Sequence, residues 1–248
     1  MEITSVNNDM VKDTVKLQQK KYRTQSGKFL LEGFKAIKEA FDSGIKLEKI
    51  FVDKAKKDEY NFAKDLIIET NDAVLKKLGT TDSAPESVAI GYQKKHDKQI
   101  LKNTKKVVLL EDIKDLGNLG TIIRSSVAFG ADAIILYGES VDIYNPKCVR
   151  ASVGNLWKLP IIEIKNFEEL QEIFENFERI ATLPRTNNML KTFKPKFPTV
   201  VMFGSEANGL SEELINFATT SVKIEMAQTV ESLNLATSVS VILYEIFV

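Results

Sequence analysis

The chain of 248 residues holds one cysteine, Cys148, and one histidine, His96. A single thiol excludes an internal disulfide and any multi-cysteine zinc site, and a single imidazole argues against a catalytic metal cluster. No apolar run reaches the roughly 18 residues that a bilayer-spanning helix needs. The first residues, "MEITSVNNDMVK", lack the basic start and apolar stretch of a signal peptide. No G-x-G-x-x-G or G-x-x-x-x-G-K-[ST] follows a predicted strand, which disfavours a dinucleotide-binding oxidoreductase and a nucleotide triphosphatase. These absences describe a cytosolic chain without disulfides or metal.

What is present is an ordinary globular composition, 44% hydrophobic and 27% charged. Its 34 cationic and 34 anionic residues balance, but unevenly along the chain. Residues 1–106 hold 22 Lys and Arg against 16 Asp and Glu, which leaves 12 against 18 for residues 107–248. The front is therefore net +6 and the back net −6, as expected if the front end meets a polyanion.

Hydropathy patterning separates the chain into three parts. Residues 1–94 alternate helical and strand patterns ("NDMVKDTVKLQQKKY", "KFLLEGFKAIKEAF", "LEKIFVD", "SVAIGYQK"), with a helix capped by Asn71 and closed at Gly79. Residues 95–106 are polar, lysine-heavy and without apolar rhythm, which reads as a linker with His96 exposed inside it. From residue 107, six apolar runs of strand length alternate with helical segments, among them 119–129, about 146–153 and about 232–245. Near-continuous apolar strands separated by helices predict a parallel α/β sheet, whose ligands bind beyond the carboxyl ends of the strands.

Three loops at predicted strand ends carry candidate chemistry. In "LLEDIKDLGNLGTIIRSSVAFG" the spacing N-x-G-x-x-x-R joins Asn118, Gly120 and Arg124, followed by Gly130. Taken alone, it is read more simply as Asn118 capping a helix, Gly120 allowing close packing and Arg124 standing as a surface charge. In "VVMFGSEANGLSEEL", Gly204 ends a strand, Glu206 and Gly209 follow, and Ser211 caps a helix. Glycine at that strand end permits close approach by a ligand or by another chain segment. In "VKIEMAQTVESLNLATSVS", a strand leads to Ser232, Leu233 and Asn234 before an apolar helix. Ser232 suits the cap of that helix, which leaves the amide of Asn234, a poor helix former, for a polar role.

Together and in order, the three loops resemble the motifs of the SpoU (TrmH-type) RNA ribose 2′-O-methyltransferases of the SPOUT superfamily. Those motifs are N-x-G-x-x-x-R, G-x-E-x-x-G-L and I-P-M-x-G…S-L-N. They stand here as Asn118, Gly120 and Arg124, then Gly204 through Leu210, then Ile224, Met226 and Ser232–Leu233–Asn234. The stretch Arg150–Ala151–Ser152–Val153–Gly154 and the N-terminal "FLLEGFKAIKEAF" are similar to family sequence as well. Glu225 and Gln228 stand where the family usually has proline and glycine, and Ser125–Ser126 where Thr-Ala is commoner.

The resemblance implies a C-terminal SPOUT methyltransferase domain (107–248) with a deep trefoil knot, preceded by a small α/β RNA-binding domain (1–94). It implies S-adenosylmethionine as cofactor, held by backbone groups around Leu183, Gly204, Ile224, Met226 and Leu233. It places Arg124 at the ribose hydroxyl, Asn234 beside cofactor or substrate and Glu206 in the motif architecture, with Asn118 and Ser232 auxiliary. It implies RNA as the partner, ribosomal before transfer RNA, contacted through Lys20, Lys21, Arg23 and Lys28. It also implies a homodimer built through the C-terminal domain. An RNA-binding protein of the same fold without methyl transfer is the alternative.

Overall fold

The computed structural model describes residues 1–227, 229–230 and 232–248. Two compact units emerge, one of residues 1–94 with 142–157, the other of residues 95–141 with 158–248.

In the first unit β1 (Glu2–Ile3), β2 (Lys28–Glu32), β3 (Leu47–Asp53), β4 (Ile67–Thr70) and β5 (Ser87–Tyr92) form one sheet, in the order β1-β4-β3-β5-β2. Helices α1 (Asp9–Lys16), α2 (Lys20–Ser26), α3 (Phe34–Asp42) and α4 (Asp72–Leu78) accompany it. Asn71 caps α4 by accepting from Val74 N at 3.0 Å, and Gly79 closes it. β1, β4 and the 3-10 stretch Lys54–Leu66 are absent from the sequence reading. β1 and β4 have only two and four residues, too few for a period to show.

Two of the cations expected to meet RNA have other work. Arg23 is only 1% exposed. Its guanidinium donates to Asp142 Oδ2 at 2.7 and 2.8 Å and to the carbonyls of Leu17 and Gln18 at 2.9 and 2.8 Å. It therefore holds α2 to the 142–157 segment and is closed to phosphate. Lys28 is ion-paired with Glu48 at 2.5 Å, and that contact raises the lysine's pKa above its ordinary value. Lys20 and Lys21 remain exposed.

The second unit contains β6 (Lys106–Glu111), α5 (Leu116–Ala128) and β7 (Ala133–Tyr137). The chain then passes through α6 (Pro146–Ala151), grouped with the first unit. It resumes with β8 (Ile161–Ile164), α7 (Phe167–Ile173), β9 (Glu178–Thr182), β10 (Thr199–Phe203), α8 (Glu212–Phe217), β11 (Thr220–Val222) and α9 (Leu235–Phe247). Segment 142–157, which the sequence places with the C-terminal domain, thus belongs to the other unit. Residues 95–106 are not a bare linker. They hold a 3-10 turn (Lys98–Asn103) with Leu101 buried, belong to the second unit, and leave His96 half-buried.

Six strands form an all-parallel sheet in the order β11-β9-β10-β6-β7-β8. Every residue of β7 and β10 is buried, as near-continuous apolar strands covered on both faces require. Chain order runs outward from β6 through β7 to β8, then resumes on the other side of β6. The reversal lies between β6 and β10, and in open parallel sheets a crevice forms there beyond the carboxyl ends. Among the described residues no helix is long and apolar enough to cross a membrane.

One hydroxyl in α5 is out of place. Ser126 is fully buried and its Oγ has no hydrogen-bond partner among the described residues. A desolvated, unpaired hydroxyl costs about 1–3 kcal/mol. Ser126→Ala should raise the denaturation midpoint by an amount worth about 1 kcal/mol, measured by urea titration. An unchanged or lowered midpoint would show that the hydroxyl is satisfied.

Candidate active site

The three motif loops meet at the β6–β10 crevice, each fixed by a local device. Asp115 caps α5, its Oδ1 accepting from Asn118 N at 2.7 Å. The helix therefore starts at Leu116, and Asn118 is not the cap that its type suggested. Freed from that duty, the Asn118 side chain donates through Nδ2 to Glu206 Oε1 at 2.9 Å. Its Oδ1 accepts from Asn234 Nδ2 at 3.0 Å. Asn234 in turn caps α9, its Oδ1 accepting from Thr237 N at 3.3 Å. The cap of the last helix is thus Asn234 rather than Ser232, which lies exposed two residues upstream. β11 likewise ends at Val222, short of the strand read over "VKIEM".

The polarity of this chain of amides is forced. A carboxylate only accepts, so Glu206 faces the Asn118 amide nitrogen. The Asn118 oxygen must then receive a donor, and Asn234 can turn only its nitrogen that way because its oxygen is bound by the helix cap. One residue from each motif is thereby joined in a single directed relay. Asn234→Asp keeps a good cap but replaces the donor with a second acceptor. No rotation of Asn118 can satisfy both neighbours, so helix stability should hold while any turnover falls about a hundredfold. Turnover matching wild type in that variant would remove the relay from the mechanism.

The second motif is braced from both sides. Ser205 and Gly209 exchange backbone hydrogen bonds at 3.0 and 3.1 Å, folding residues 205–209 into a closed turn with Gly209 at φ 69°. A Cβ on Gly204 would stand 1.8 Å from the Gly209 carbonyl carbon. Of the two readings for this glycine, close approach of another chain segment is thus the one the backbone displays. Beyond the turn, Ser211 N donates to Glu111 Oε2 at 2.8 Å, and Ser211 Oγ accepts from Leu214 N at 3.3 Å as the cap of α8.

Glu111, only 7% exposed, and Asp115 were missed by sequence reasoning. An acid closing an apolar strand and an aspartate three residues before Asn118 were the available signals. Nearby, the Tyr137 hydroxyl donates to Glu213 Oε2 at 2.7 Å, and burial followed by that carboxylate raises its pKa well above the ordinary phenol value.

Arg124 lies one turn and a half beyond Asn118 on α5, exposed, with no hydrogen bond or ion pair to a described residue. Its neighbours Ile122 and Ile123 are buried, so the helix is held without it. Gly120, one turn before it on the helix, is buried. Ser125 Oγ meets Ser240 Oγ at 2.7 Å, tying α5 to α9 below the relay.

Of the remaining candidates, Leu183 follows β9, Ile224 and Met226 follow β11, and Leu233 precedes α9. Leu183 N donates to Val222 O at 3.0 Å, so the ends of β9 and β11 stay in register. Ile224 and Met226 are half-buried beyond β11, and their backbone groups make no hydrogen bond to a described residue. Leu233 is 37% exposed. Gln228, a departure from the family motif, lies outside the described residues. A run of uncommitted backbone donors and acceptors beside half-buried apolar side chains suits a flat heteroaromatic ligand.

Comparison with known proteins gives two family matches. The SpoU rRNA Methylase family model matches residues 105–244, and an MRM3-like substrate binding domain matches residues 8–89. An uncharacterized tRNA/rRNA methyltransferase of Synechocystis sp. is 33% identical over 98% of this chain and 92% of its own length. A 23S rRNA guanosine 2′-O-methyltransferase of Bacillus subtilis is 27% identical over 99% and 98%. Among solved structures, the AdoMet-bound rRNA methyltransferase of Sinorhizobium meliloti superposes with a TM-score of 0.88 at 31% identity, covering 99% of this chain and 96% of that one.

Proposed function

Since the chain belongs to the SpoU rRNA methylase family of RNA methyltransferases, we propose that it methylates a ribose 2′-hydroxyl of RNA, with S-adenosylmethionine as donor and ribosomal RNA as substrate. The observation that carries this reading is the Glu206–Asn118–Asn234 relay, which draws one residue from each of three separated motifs into one crevice. The cofactor, when bound, supplies a methyl group already activated by its sulfonium sulfur. The uncommitted backbone of Ile224 and Met226 and the side chains of Leu183 and Leu233 would hold it, with Gly204 keeping the adjoining turn closed. What the chain must add is alignment and stabilisation of charge on a poorly acidic hydroxyl.

Arg124 is the cation for that task. A guanidinium with a pKa above about 12 is a poor base, so its role is to stabilise the developing alkoxide and a flanking phosphate. The proton leaves to solvent. Asn234 and Asn118 orient the reacting groups, Glu206 fixes the polarity of both amides, and Ser232 is auxiliary. No metal enters this scheme.

Ribosomal RNA is favoured because the first unit matches a substrate-binding domain and the Bacillus relative acts on 23S rRNA. A cytoplasmic site of action follows from that substrate. We further propose that residues 107–248 fold as a trefoil knot and pair as a homodimer. In support of pairing, Val241 and Tyr244 on α9 and Val248 directly after it are 40%, 58% and 80% exposed, an apolar patch at the end of the helix.

The test is titration calorimetry with S-adenosylmethionine, followed by methyl transfer to ribosomal RNA from cells lacking the gene. Nucleoside mass spectrometry should find a 2′-O-methylated nucleoside. Absence of cofactor binding favours the non-catalytic RNA-binding alternative, and a methyl group on a base rather than a ribose overturns the assignment.

A further inference from the structure

The connection from β9 to β10 breaks the pattern of its sheet. Parallel neighbours are usually joined by a crossover helix, yet residues 183–198, "LPRTNNMLKTFKPKFP", contain only one 3-10 turn, Leu190–Thr192. Pro184, Pro195 and Pro198 and the missing apolar period explain why no helix forms. The composition is also unlike the rest of residues 107–248. Arg185, Lys191, Lys194 and Lys196 occur without a single Asp or Glu among them, inside a region that is net negative overall.

All four cations are exposed, and none forms an ion pair with a described residue. Glu178 does meet this strap, but through the backbone N–H of Lys196 rather than its ammonium. Lysines of the first unit behave differently: Lys12, Lys16, Lys38, Lys56 and Lys57 are each matched to a neighbouring carboxylate. Local neutralisation therefore accounts for much of the first unit's charge but for none of the strap's.

The strap has a definite path. At its start, Thr186 Oγ1 meets Ser221 Oγ at 2.7 Å and Lys223 N donates to Asn188 O at 3.1 Å, beside β11 and the Ile224–Met226 segment. At its end, Phe197 is 46% exposed, with Lys106 Nζ 5.7 Å from its ring centre. A line of unpaired cations that begins at the candidate active site and ends on an open aromatic face has the elements of a single-stranded nucleic-acid track: charges for phosphates and a ring for a base.

Building on the RNA-methyltransferase reading, we propose that residues 185–197 form a second RNA-binding surface, within the catalytic unit itself. Arg185, Lys191, Lys194 and Lys196 contact the phosphates of a single-stranded segment, and Phe197 stacks on one of its bases. The strap then carries RNA flanking the target nucleotide, independently of the first unit.

The probe is a fluorescein-labelled uridine oligonucleotide of about 20 nucleotides, titrated with the full chain at several salt concentrations. Each single-strand phosphate contact contributes about 0.7 to the slope of log affinity against log salt. K191Q/K194Q/K196Q should lower that slope by about 2 and weaken binding at least tenfold, with the melting temperature and S-adenosylmethionine binding unchanged. F197A should weaken binding about tenfold while leaving the slope intact. K64Q/K102Q/K165Q removes the same charge from dispersed exposed sites. A loss in it equal to that of the strap variant would reduce the effect to net charge and overturn the proposal. Wild-type binding by the strap variant overturns it as well, without touching the methyltransferase reading. If the wild-type chain binds no RNA, the strap and the RNA reading fall together, whereas RNA binding without methyl transfer leaves the strap standing.

Discussion

Arg124→Ala should lower the turnover of methyl transfer by about a thousandfold or more, the scale of losing a preorganised charge at a developing oxyanion. The protein should otherwise be unaltered. Arg124 is exposed on α5 and bonded to no described residue, and the helix is seated by Ile122 and Ile123 instead. Its cap, Asp115, stands nine residues earlier and accepts from Asn118 N, so the capping bond does not involve the guanidinium. The urea midpoint should therefore stay within about 0.5 kcal/mol of wild type, as for a surface substitution away from special features. Cofactor affinity by calorimetry should hold, because the backbone beyond β11 is untouched. Arg124→Lys should recover only part of the rate, since an ammonium restores charge without the planar fork. Turnover at the wild-type level in the alanine variant would refute the assignment.

Gly204→Ala should produce the largest loss of stability. The new Cβ would meet the carbonyl carbon of Gly209 at 1.8 Å, its oxygen at 2.0 Å and Leu210 N at 2.0 Å. All three are backbone atoms, so no side-chain rotation relieves the clash and the 205–209 turn must open. Overpacking of a tight site costs roughly 1–3 kcal/mol and more where backbone must move, so a loss of about 3 kcal/mol or more is expected. Opening the turn also withdraws Glu206 from Asn118, so activity falls together with stability. Gly209→Ala is the internal control. Its φ of 69° is strained for alanine but no atom lies within 4 Å of the added carbon, which predicts a cost of about 1 kcal/mol. If the two variants prove equally stable in urea, close approach is not what Gly204 provides.

Much of the catalytic unit could be read from the sequence, because buried parallel strands are written as unbroken apolar runs and each of the six was visible. Caps were harder. Asn71 and Ser211 stood immediately before clear periodic segments, and both cap as expected. Asn118 and Ser232, the caps suggested for α5 and α9, do not cap, because several competent residues lie within one turn and only tertiary partners decide among them. With Asp115 and Asn234 as the caps, Asn118 is left for the relay. The lysine-rich front was legible as charge but not as exposure. Nothing in the sequence distinguishes Arg23, closed around Asp142 some 119 residues away, from the exposed Lys20 and Lys21 beside it. The 142–157 segment posed the same difficulty, since its assignment rests on long-range contacts such as Arg150 Nη1 to Glu32 Oε1 at 2.8 Å.

The two caps at the crevice have an electrostatic consequence. Helices α5 and α9 both begin there, and their first turns are linked through the bond between Asn118 and Asn234. The amino end of a helix carries the equivalent of roughly half a positive charge, felt within about the first turn. Two such ends converge on the place where the reaction would develop negative charge. The carboxylates of Asp115 and Glu206 beside them offset part of that fixed positive field, and the exposed Arg124 adds a full cation. The helix ends remain in the alanine variant, so it should keep part of its attraction for anionic RNA while failing as a catalyst.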